Sequence, residues 1–287
     1  MVNTYRKVLE NGAKFLDENK IEDYEQNVCE LMGKALNLDC RGKEYREMLD
    51  KQADKNITAE FEKLIERRAK GEPLQYLIGE WEFYGLPFKV GEGVLIPRQD
   101  TETLVDIILK KFKDRDNLSV VDLCSGSGCI AVALEKGLNC KSVTCVEKSE
   151  QALKYLEENI KLNGSNAKTL QGDVFDENTL CRVEEADIIS CNPPYLTDDD
   201  MKALQKEVTF EPAQALYGGE DGLDFYRTVT RLWKDKLKVG GMLIFEIGIN
   251  QEDDVMLLLV RHGFENVRCK PDLCGVNRCV FGFKKEK

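Results

Sequence analysis

The residues best suited to chemistry stand where the apolar run 186–191 leads directly into Asn192-Pro193-Pro194-Tyr195. Both prolines lack a backbone N–H and hold the residue before them extended, so the strand should end there with its carbonyls projecting outward. The Asn192 side-chain oxygen and the Pro193 carbonyl could then accept both hydrogens of an NH₂ group. Tyr195 offers a flat face to a planar group. The alternative is that this tetrapeptide is only a turn after a strand.

A second candidate site follows the apolar run 120–123. It consists of Cys124, Ser125, Gly126, Ser127 and Gly128. Glycines let the backbone approach a ligand closely, and ligands of open parallel sheets bind at such a strand-to-helix turn. Glu147 ends the next apolar run, about where an acid that accepts from ribose hydroxyls belongs. Taken alone, this pattern fits two cofactors, a nicotinamide dinucleotide and S-adenosylmethionine.

Two further residues distinguish these cofactors. Asp173 and Val174 follow a third predicted strand, where an acid suits the amino group of an adenine, and the Asn-Pro-Pro-Tyr segment ends the fourth. The ordered set resembles the S-adenosylmethionine-dependent methyltransferases that modify planar nitrogens. Each motif is weak alone, whereas four in this order at these spacings form a specific signal.

The resemblance extends over nearly the whole chain and becomes more specific. Further matching segments are Gly71–Gly79, Phe83–Gly85, Leu95–Glu102 and Glu246–Gly248. Together they resemble the peptide chain release factor glutamine N5-methyltransferases, the PrmC/HemK family. The chain departs from that pattern at Cys124, where glycine is frequent, and at Gln99, where proline is usual.

The resemblance implies a reaction and a role for each motif. In that family the segment matching Asn192–Tyr195 holds a glutamine carboxamide, and the segment matching Cys124–Gly128 wraps the cofactor. The residues matching Glu147 and Val174 contact its ribose and adenine. S-adenosylmethionine is thus expected to methylate the glutamine of a Gly-Gly-Gln motif in release factors, leaving S-adenosylhomocysteine.

The elements that carry these motifs alternate between short apolar runs and helical patterns from residue 118 onward. The predicted strands are 120–123, 142–146, 187–191, 242–247 and 278–283, and the predicted helices fall near 129–136, 150–162, 223–236 and 251–262. Such alternation indicates a mostly parallel sheet covered on both faces. The expected fold is therefore α/β, a Rossmann-like methyltransferase sheet.

The chain is expected to divide into three regions, of which the last forms this fold. Helical spacing of apolar residues predicts a small all-helical substrate-recognition domain over 1–72, with a later helix starting after Thr58. Short aromatic runs punctuated by glycine and proline predict a connecting β-hairpin over 73–97, turning at 85–87. The methyltransferase catalytic domain is expected over 98–287, beginning with a helix that Asp100 or Thr101 caps.

Composition excludes several other classes of protein. The 287 residues carry a net charge of −11, which disfavours a broad nucleic-acid footprint. The 11 cysteines, odd in number, form no Cys-x-x-Cys pair and stand beside a single histidine, so we expect free thiols and no metal site. The chain has no membrane-length apolar run and begins without a signal-peptide pattern, so a cytoplasmic enzyme is expected.

Two alternative substrates and one alternative mechanism remain. A related enzyme could methylate a glutamine of a ribosomal protein. An adenine-N6 DNA methyltransferase could also use the Asn-Pro-Pro-Tyr segment, because adenine presents an NH₂ group that the same acceptors could bind. Cys191, next to Asn192, could act as a nucleophile, but it ends an apolar strand without a partner base, which favours a buried structural cysteine.

Overall fold

Apolar stripes at helical spacing build five helices in the first part of the chain, as seen in a computed structural model that describes residues 3–285. The helices are α1 (Tyr5–Glu18), α2 (Tyr24–Leu36), α3 (Lys43–Leu49), α4 (Lys55–Ala69) and α5 (Leu74–Ile78). Their buried side chains, including Leu16, Leu31 and Phe61, form one core. The helix predicted after Thr58 begins earlier, because the Asp54 side chain accepts from the first N–H groups of α4.

The helical unit extends beyond the predicted boundary at residue 72. It comprises the described residues up to Glu80 together with Gln205–Phe210. The boundary lies later because Leu74 and Leu77 of α5 belong to the same buried core. The short segment Gln205–Phe210 joins this unit through Glu207, which pairs with the buried guanidinium of Arg68.

The predicted hairpin forms within 73–97 as two strands, β1 (Glu80–Phe83) and β2 (Leu86–Lys89). Its turn lies at Tyr84 and Gly85 rather than at 85–87. Both turn residues have positive φ, +53° and +71°, the pattern of a two-residue turn whose twist matches the flanking strands. Phe83 and Phe88 are fully buried in the core of the larger unit.

The larger unit is built on a sheet of seven strands. These are β3 (Leu118–Leu123), β4 (Cys140–Glu147), β5 (Lys168–Gln171), β6 (Ala186–Cys191), β7 (Leu237–Glu246), β8 (Phe264–Pro271) and β9 (Asn277–Lys284). Their order is β5-β4-β3-β6-β7-β9-β8, in which the first five strands are parallel and β9 is antiparallel to both of its neighbours, β7 and β8. The mostly parallel sheet predicted from the alternation is confirmed.

Seven α-helices accompany the sheet in the described part of the larger unit, and most of them contribute buried residues to its two cores. They are α6 (Gln99–Phe112), α7 (Cys129–Gly137), α8 (Glu150–Leu162), α9 (Glu177–Cys181), α10 (Asp198–Lys202), α11 (Asp224–Leu232) and α12 (Glu252–Arg261). Successive strand residues enter two different cores, as Ile188 packs with α6, α7 and α8 while Ile189 packs with α11 and α12. The sheet is therefore buried on both faces, as the unbroken apolar runs predict. Within 3–285, no helix has the length and apolar character needed to cross a bilayer.

Candidate active site

The carboxyl ends of the central strands mark the place where a ligand is expected. β3 and β6 are neighbours in the sheet although β4 and β5 lie between them in the chain, and open α/β sheets bind ligands at such a switch point. A cavity of about 620 Å³ lies here, lined wholly by residues of the larger unit. Small-molecule sites typically measure about 300–1,000 Å³.

The loop after β3 supplies one wall of this cavity. The lining includes Cys124, Ser125, Gly126 and Ser127. Gly128 is set back from the wall as the N-cap of α7, with φ +82°. A Cβ at Gly128 would lie 2.4 Å from Cδ1 of Leu156, so packing as well as backbone conformation requires glycine there. Cys124 has φ +56°, a left-handed conformation that is uncommon for a residue with a side chain.

Glu147, the last residue of β4, lies beside this loop and lines the cavity. One carboxylate oxygen accepts from the backbone N–H of Gly126 at 2.8 Å, and the other accepts from the N–H of Ser149 at 2.7 Å. Each carboxylate oxygen has a further lone pair. Glu147 can therefore shape the loop and still accept hydrogen bonds from hydroxyl groups in the cavity.

Asp173 and Val174 line the same cavity, in the segment after β5. Asp173 accepts from the N–H of Phe175 at 3.0 Å and pairs with Lys148 at 2.9 Å. The carbonyl of Val174 accepts from the indole N–H of Trp233 at 3.0 Å, which fixes the backbone beneath the buried valine side chain. The two predicted residues are thus held rigidly at the cavity.

Two aromatic residues of the lining had no role in the sequence interpretation. Phe175 and Phe225 both line the cavity, and their rings meet edge to face with centroids 4.8 Å apart. Phe175 directly follows Asp173 and Val174, so its position carried a usable signal. Phe225 lies in α11, far along the chain, and nothing in the sequence indicates that it reaches this site.

The Asn192–Tyr195 segment follows β6 and contributes Asn192 and Pro194 to the lining. Pro193 and Tyr195 lie outside the lining within the described chain. The Tyr195 ring packs against the buried core of the larger unit, which differs from the expectation that it faces a planar ligand. The ring is retained there because burial of its apolar face is favourable.

Hydrogen bonds fix the backbone of this segment at Tyr195. Its N–H donates to the carbonyl of Leu216 at 3.1 Å, and its carbonyl accepts from Nε2 of Gln251 at 3.0 Å. Oε1 of the same glutamine accepts from the N–H of Gly248 at 2.9 Å. These hydrogen bonds hold the backbone that follows Asn192 in place.

Asn192 also belongs to a buried polar chain of hydrogen bonds. Its Nδ2 lies 3.4 Å from Oγ1 of Thr101, and that hydroxyl lies 2.6 Å from Oε2 of Glu246. Burial raises the pKa of Glu246 to about 7, although the hydrogen bond from Thr101 opposes the rise. Thr101 was predicted as a helix cap, but α6 begins at Gln99 with Arg98 as its N-cap.

A second buried carboxylate supports another wall. Glu211 pairs with the guanidinium of Arg98 and accepts from the N–H of Ile96 at 3.1 Å. Arg98 and Ile96 both line the cavity, as does Pro212, which follows Glu211 directly. Arg98 lies in the matching segment Leu95–Glu102, but only the structure connects it to Glu211.

The interior below the site contains two ionisable groups whose pKa is raised by burial. Cys191 is fully buried, and burial raises the pKa of its thiol, so it does not supply a thiolate nucleophile. Asp122 on β3 is also fully buried, and burial raises its pKa to about 7. Its Oδ1 accepts from the Ser190 hydroxyl at 2.7 Å, which ties β3 to β6 below the site.

The fold and the position of the cavity define a methyltransferase of the Rossmann-like class. A profile of the methyltransferase small domain matches residues 98–220. A methyltransferase structure from Pyrococcus furiosus superimposes with a TM-score of 0.55 at 20% identity, covering 71% of this chain and 91% of that one, which shows the shared fold.

The relatives by sequence are more specific. A profile of the PrmC N-terminal domain matches residues 7–79. A protein of Geobacter sulfurreducens named release factor glutamine methyltransferase is 39% identical over 97% of this chain and 96% of its own length. A Clostridium botulinum protein of the same name is 33% identical over 96% of this chain and 97% of its own length. This chain belongs to the release factor glutamine methyltransferase family, which confirms the resemblance.

Proposed function

We propose that this enzyme transfers a methyl group from S-adenosylmethionine to the side-chain amide nitrogen of the glutamine in the Gly-Gly-Gln motif of peptide chain release factors, leaving S-adenosylhomocysteine. The observation that carries the proposal is that Asn192 lines the same cavity as the 124–127 loop and Glu147. An amide-binding group and a cofactor-binding wall are thereby brought to one place. Family membership supplies the substrate, since the relatives are named for it.

The residues present fit S-adenosylmethionine. The cavity has the required size, the 124–128 loop exposes backbone close to it, and Glu147 retains acceptor capacity for ribose hydroxyls. Val174 offers an apolar surface beside Asp173 for an adenine ring. When bound, the cofactor supplies an electrophilic methyl group on a sulfonium sulfur.

In the transfer the amide nitrogen bonds to the methyl carbon as the S–C bond breaks, and the nitrogen loses one proton to solvent. Asn192 addresses the main chemical difficulty, which is that an amide nitrogen is a poor nucleophile because its lone pair is delocalised. An oxygen of Asn192 that accepts from the substrate NH₂ fixes that group and favours the positive charge that develops on nitrogen during transfer. The Pro193 carbonyl, expected from the sequence to accept the second hydrogen, lies outside the cavity lining, so the proposal rests on the Asn192 oxygen. Holding the reacting atoms in attack geometry can supply about 7–11 kcal/mol of the required rate enhancement.

The support around Asn192 explains how such alignment is maintained. Gln251 holds the backbone carbonyl of Tyr195, and Leu216 holds its N–H. Rigid support matters because a displacement of about 1 Å of a positioning group can cost about a hundredfold in rate. These residues bind and orient the substrate amide while S-adenosylmethionine occupies the other walls.

Partners and place in the cell follow from the proposed substrate. Release factors are the protein partner, and the enzyme works where they work, in the cytoplasm. Direct nucleic-acid binding and membrane association are not part of the proposal. The net charge of −11 favours a protein substrate over DNA, because DNA binding requires clustered cations.

The test is methyl transfer from labelled S-adenosylmethionine to purified, unmethylated release factor. A release factor with Gln→Ala in its Gly-Gly-Gln motif is the control for the site, and ribosomal proteins and duplex DNA are assayed in parallel. Label on the unaltered factor alone establishes substrate and residue together. Label on a ribosomal protein or on DNA instead would overturn the proposed substrate in favour of the corresponding alternative.

A further inference from the structure

Three segments that are distant in the chain meet next to the proposed substrate amide. Thr101 lies in the first turn of α6, Asn192 follows β6, and Glu246 ends β7. β6 and β7 are paired in parallel with Cys191 beside Phe245, which brings the residues that follow these two, Asn192 and Glu246, to adjacent positions where the strands end. α6 places Thr101 between them.

The hydrogen bonds in this group have a direction. Oγ1 of Thr101 donates to Oε2 of Glu246 at 2.6 Å, and a hydroxyl has only one proton to donate. The hydroxyl oxygen can then only accept from its other neighbour. The Asn192 atom that faces it at 3.4 Å must therefore be the NH₂ nitrogen. If the amide were turned over, two acceptors would face each other.

The cavity lining shows which member acts directly and which acts at a distance. Asn192 and Thr101 line the cavity, whereas Glu246 is absent from the lining and is as deeply buried as Thr101, each being 2% exposed. Glu246 also forms a hydrogen bond with Asn192 that opposes the raised pKa of its carboxyl group. Burying a carboxylate costs folding free energy, and a buried polar group can be retained because it fixes one arrangement of its neighbours.

We propose that Glu246 is a positioning residue for methyl transfer, acting through Thr101 to hold the Asn192 amide with its nitrogen toward the interior and its oxygen toward the cavity. This inference rests on the proposed function, since it gives the Asn192 oxygen the task of accepting from the substrate NH₂. Without the directed chain, the amide turns over in part of the molecules. Those molecules present a donor to the substrate and are inactive.

Substitutions at Thr101 separate the role of its hydroxyl in orienting the Asn192 amide from the role of its side chain in packing. Thr101→Val keeps the shape but removes the hydroxyl, so we expect kcat to fall about tenfold, as for loss of one oriented hydrogen bond, with KM and Kd for S-adenosylmethionine nearly unchanged. Thr101→Ser restores the hydroxyl and is expected to restore kcat to within about threefold of the wild type. Thr230→Val is the matched control, because Thr230 is also fully buried and lies in α11, outside the site.

Glu246→Gln tests whether the carboxylate of Glu246 sets the direction of the hydrogen bonds through Thr101 to Asn192. A neutral amide can turn either its oxygen or its nitrogen toward Thr101, so kcat is expected to fall although size and burial are kept. Because the two residues act in series, Thr101→Val added to Glu246→Gln should cost little more than either change alone, whereas independent structural effects would add. If Thr101→Val lowers the melting temperature enough to unfold the protein, the kcat of Glu246→Gln tests the positioning role by itself.

The outcomes distinguish this inference from the proposed function. Failure of the wild-type enzyme to methylate release factor would overturn the function itself. An active wild type with unchanged kcat in Thr101→Val and Glu246→Gln would overturn only the positioning role. Additive losses in the double variant, or a fall in cofactor affinity parallel to the fall in kcat, would likewise overturn it.

Discussion

The carboxylate of Glu147 accepts a hydrogen bond of 2.8 Å from the backbone N–H of Gly126, 21 residues earlier in the chain. This bond joins the end of β4 to the loop after β3, and both residues line the cavity. The second oxygen is held by Ser149 at 2.7 Å. One side chain therefore sets the loop conformation and faces the bound ribose that we propose.

Glu147→Gln is expected to weaken binding of S-adenosylhomocysteine by at least about tenfold, because a charged acceptor is lost and an NH₂ group is turned toward backbone N–H donors. Isothermal titration calorimetry measures this affinity directly. Glu157→Gln, an exposed substitution on α8, is the control and should bind as the wild type does. Unchanged affinity in Glu147→Gln would place the ribose elsewhere in the cavity.

Asn192→Ala is expected to lower methyl transfer by about a hundredfold or more, since it removes the group that fixes and polarises the substrate amide. The affinity for S-adenosylhomocysteine should change by less than about threefold, because the cofactor walls remain intact. Single-turnover transfer and calorimetry separate these effects. Asn166→Ala, at an exposed position, is the control. Equal losses of transfer and of cofactor binding would refute the assigned role.

Asp122 is expected to make stability depend on pH between about 4 and 7. Burial raises the pKa of its carboxyl group from 3.8 to about 7, so the folded protein holds this proton more tightly than the unfolded chain does. The resulting stabilisation is fully present below pH 3.8 and is lost as the pH rises through 7. Each pKa unit corresponds to about 1.4 kcal/mol, so the loss amounts to a few kcal/mol.

Asp122→Asn removes this titration but keeps an acceptor for Ser190. Urea unfolding at pH 5 and pH 8 should show a smaller difference in the free energy of unfolding for Asp122→Asn than for the wild type. Asp114→Asn, at an exposed position, provides the comparison and should retain the wild-type difference. Identical pH dependence in all three proteins would show that Asp122 does not titrate in this range.

Gly128→Ala is expected to destabilise the protein by about 2–4 kcal/mol, because it combines a left-handed backbone with a clash against Leu156. Gly164→Ala is the matched control. Gly164 has φ +55° but open space around its Cβ position, so only the backbone cost of about 1 kcal/mol applies. Denaturant unfolding of both variants measures the difference. Equal destabilisation would mean that Leu156 moves aside freely.

The sequence alone was sufficient for the local features of the fold. Unbroken apolar runs predict strands buried on both faces, and β3, β4, β6, β7 and β9 overlap the predicted runs. The strands β5 and β8 are the ones without a predicted range, since 168–171 and 264–271 carry many polar residues. Strand-end motifs could be placed together because the carboxyl ends of parallel strands meet at one edge of a sheet.

Tertiary structure decided which side chains meet at that edge and which do not. Thr101 and Glu246 are 145 residues apart, and Phe225 and Glu211 likewise reach the site or support it from distant segments. The tertiary structure also packs the Tyr195 ring against the core of the larger unit and places residues 205–210 with the helical unit. Periodicity records only whether a residue is buried, whereas the partner of a buried polar group depends on strand register and helix packing, which no local pattern encodes.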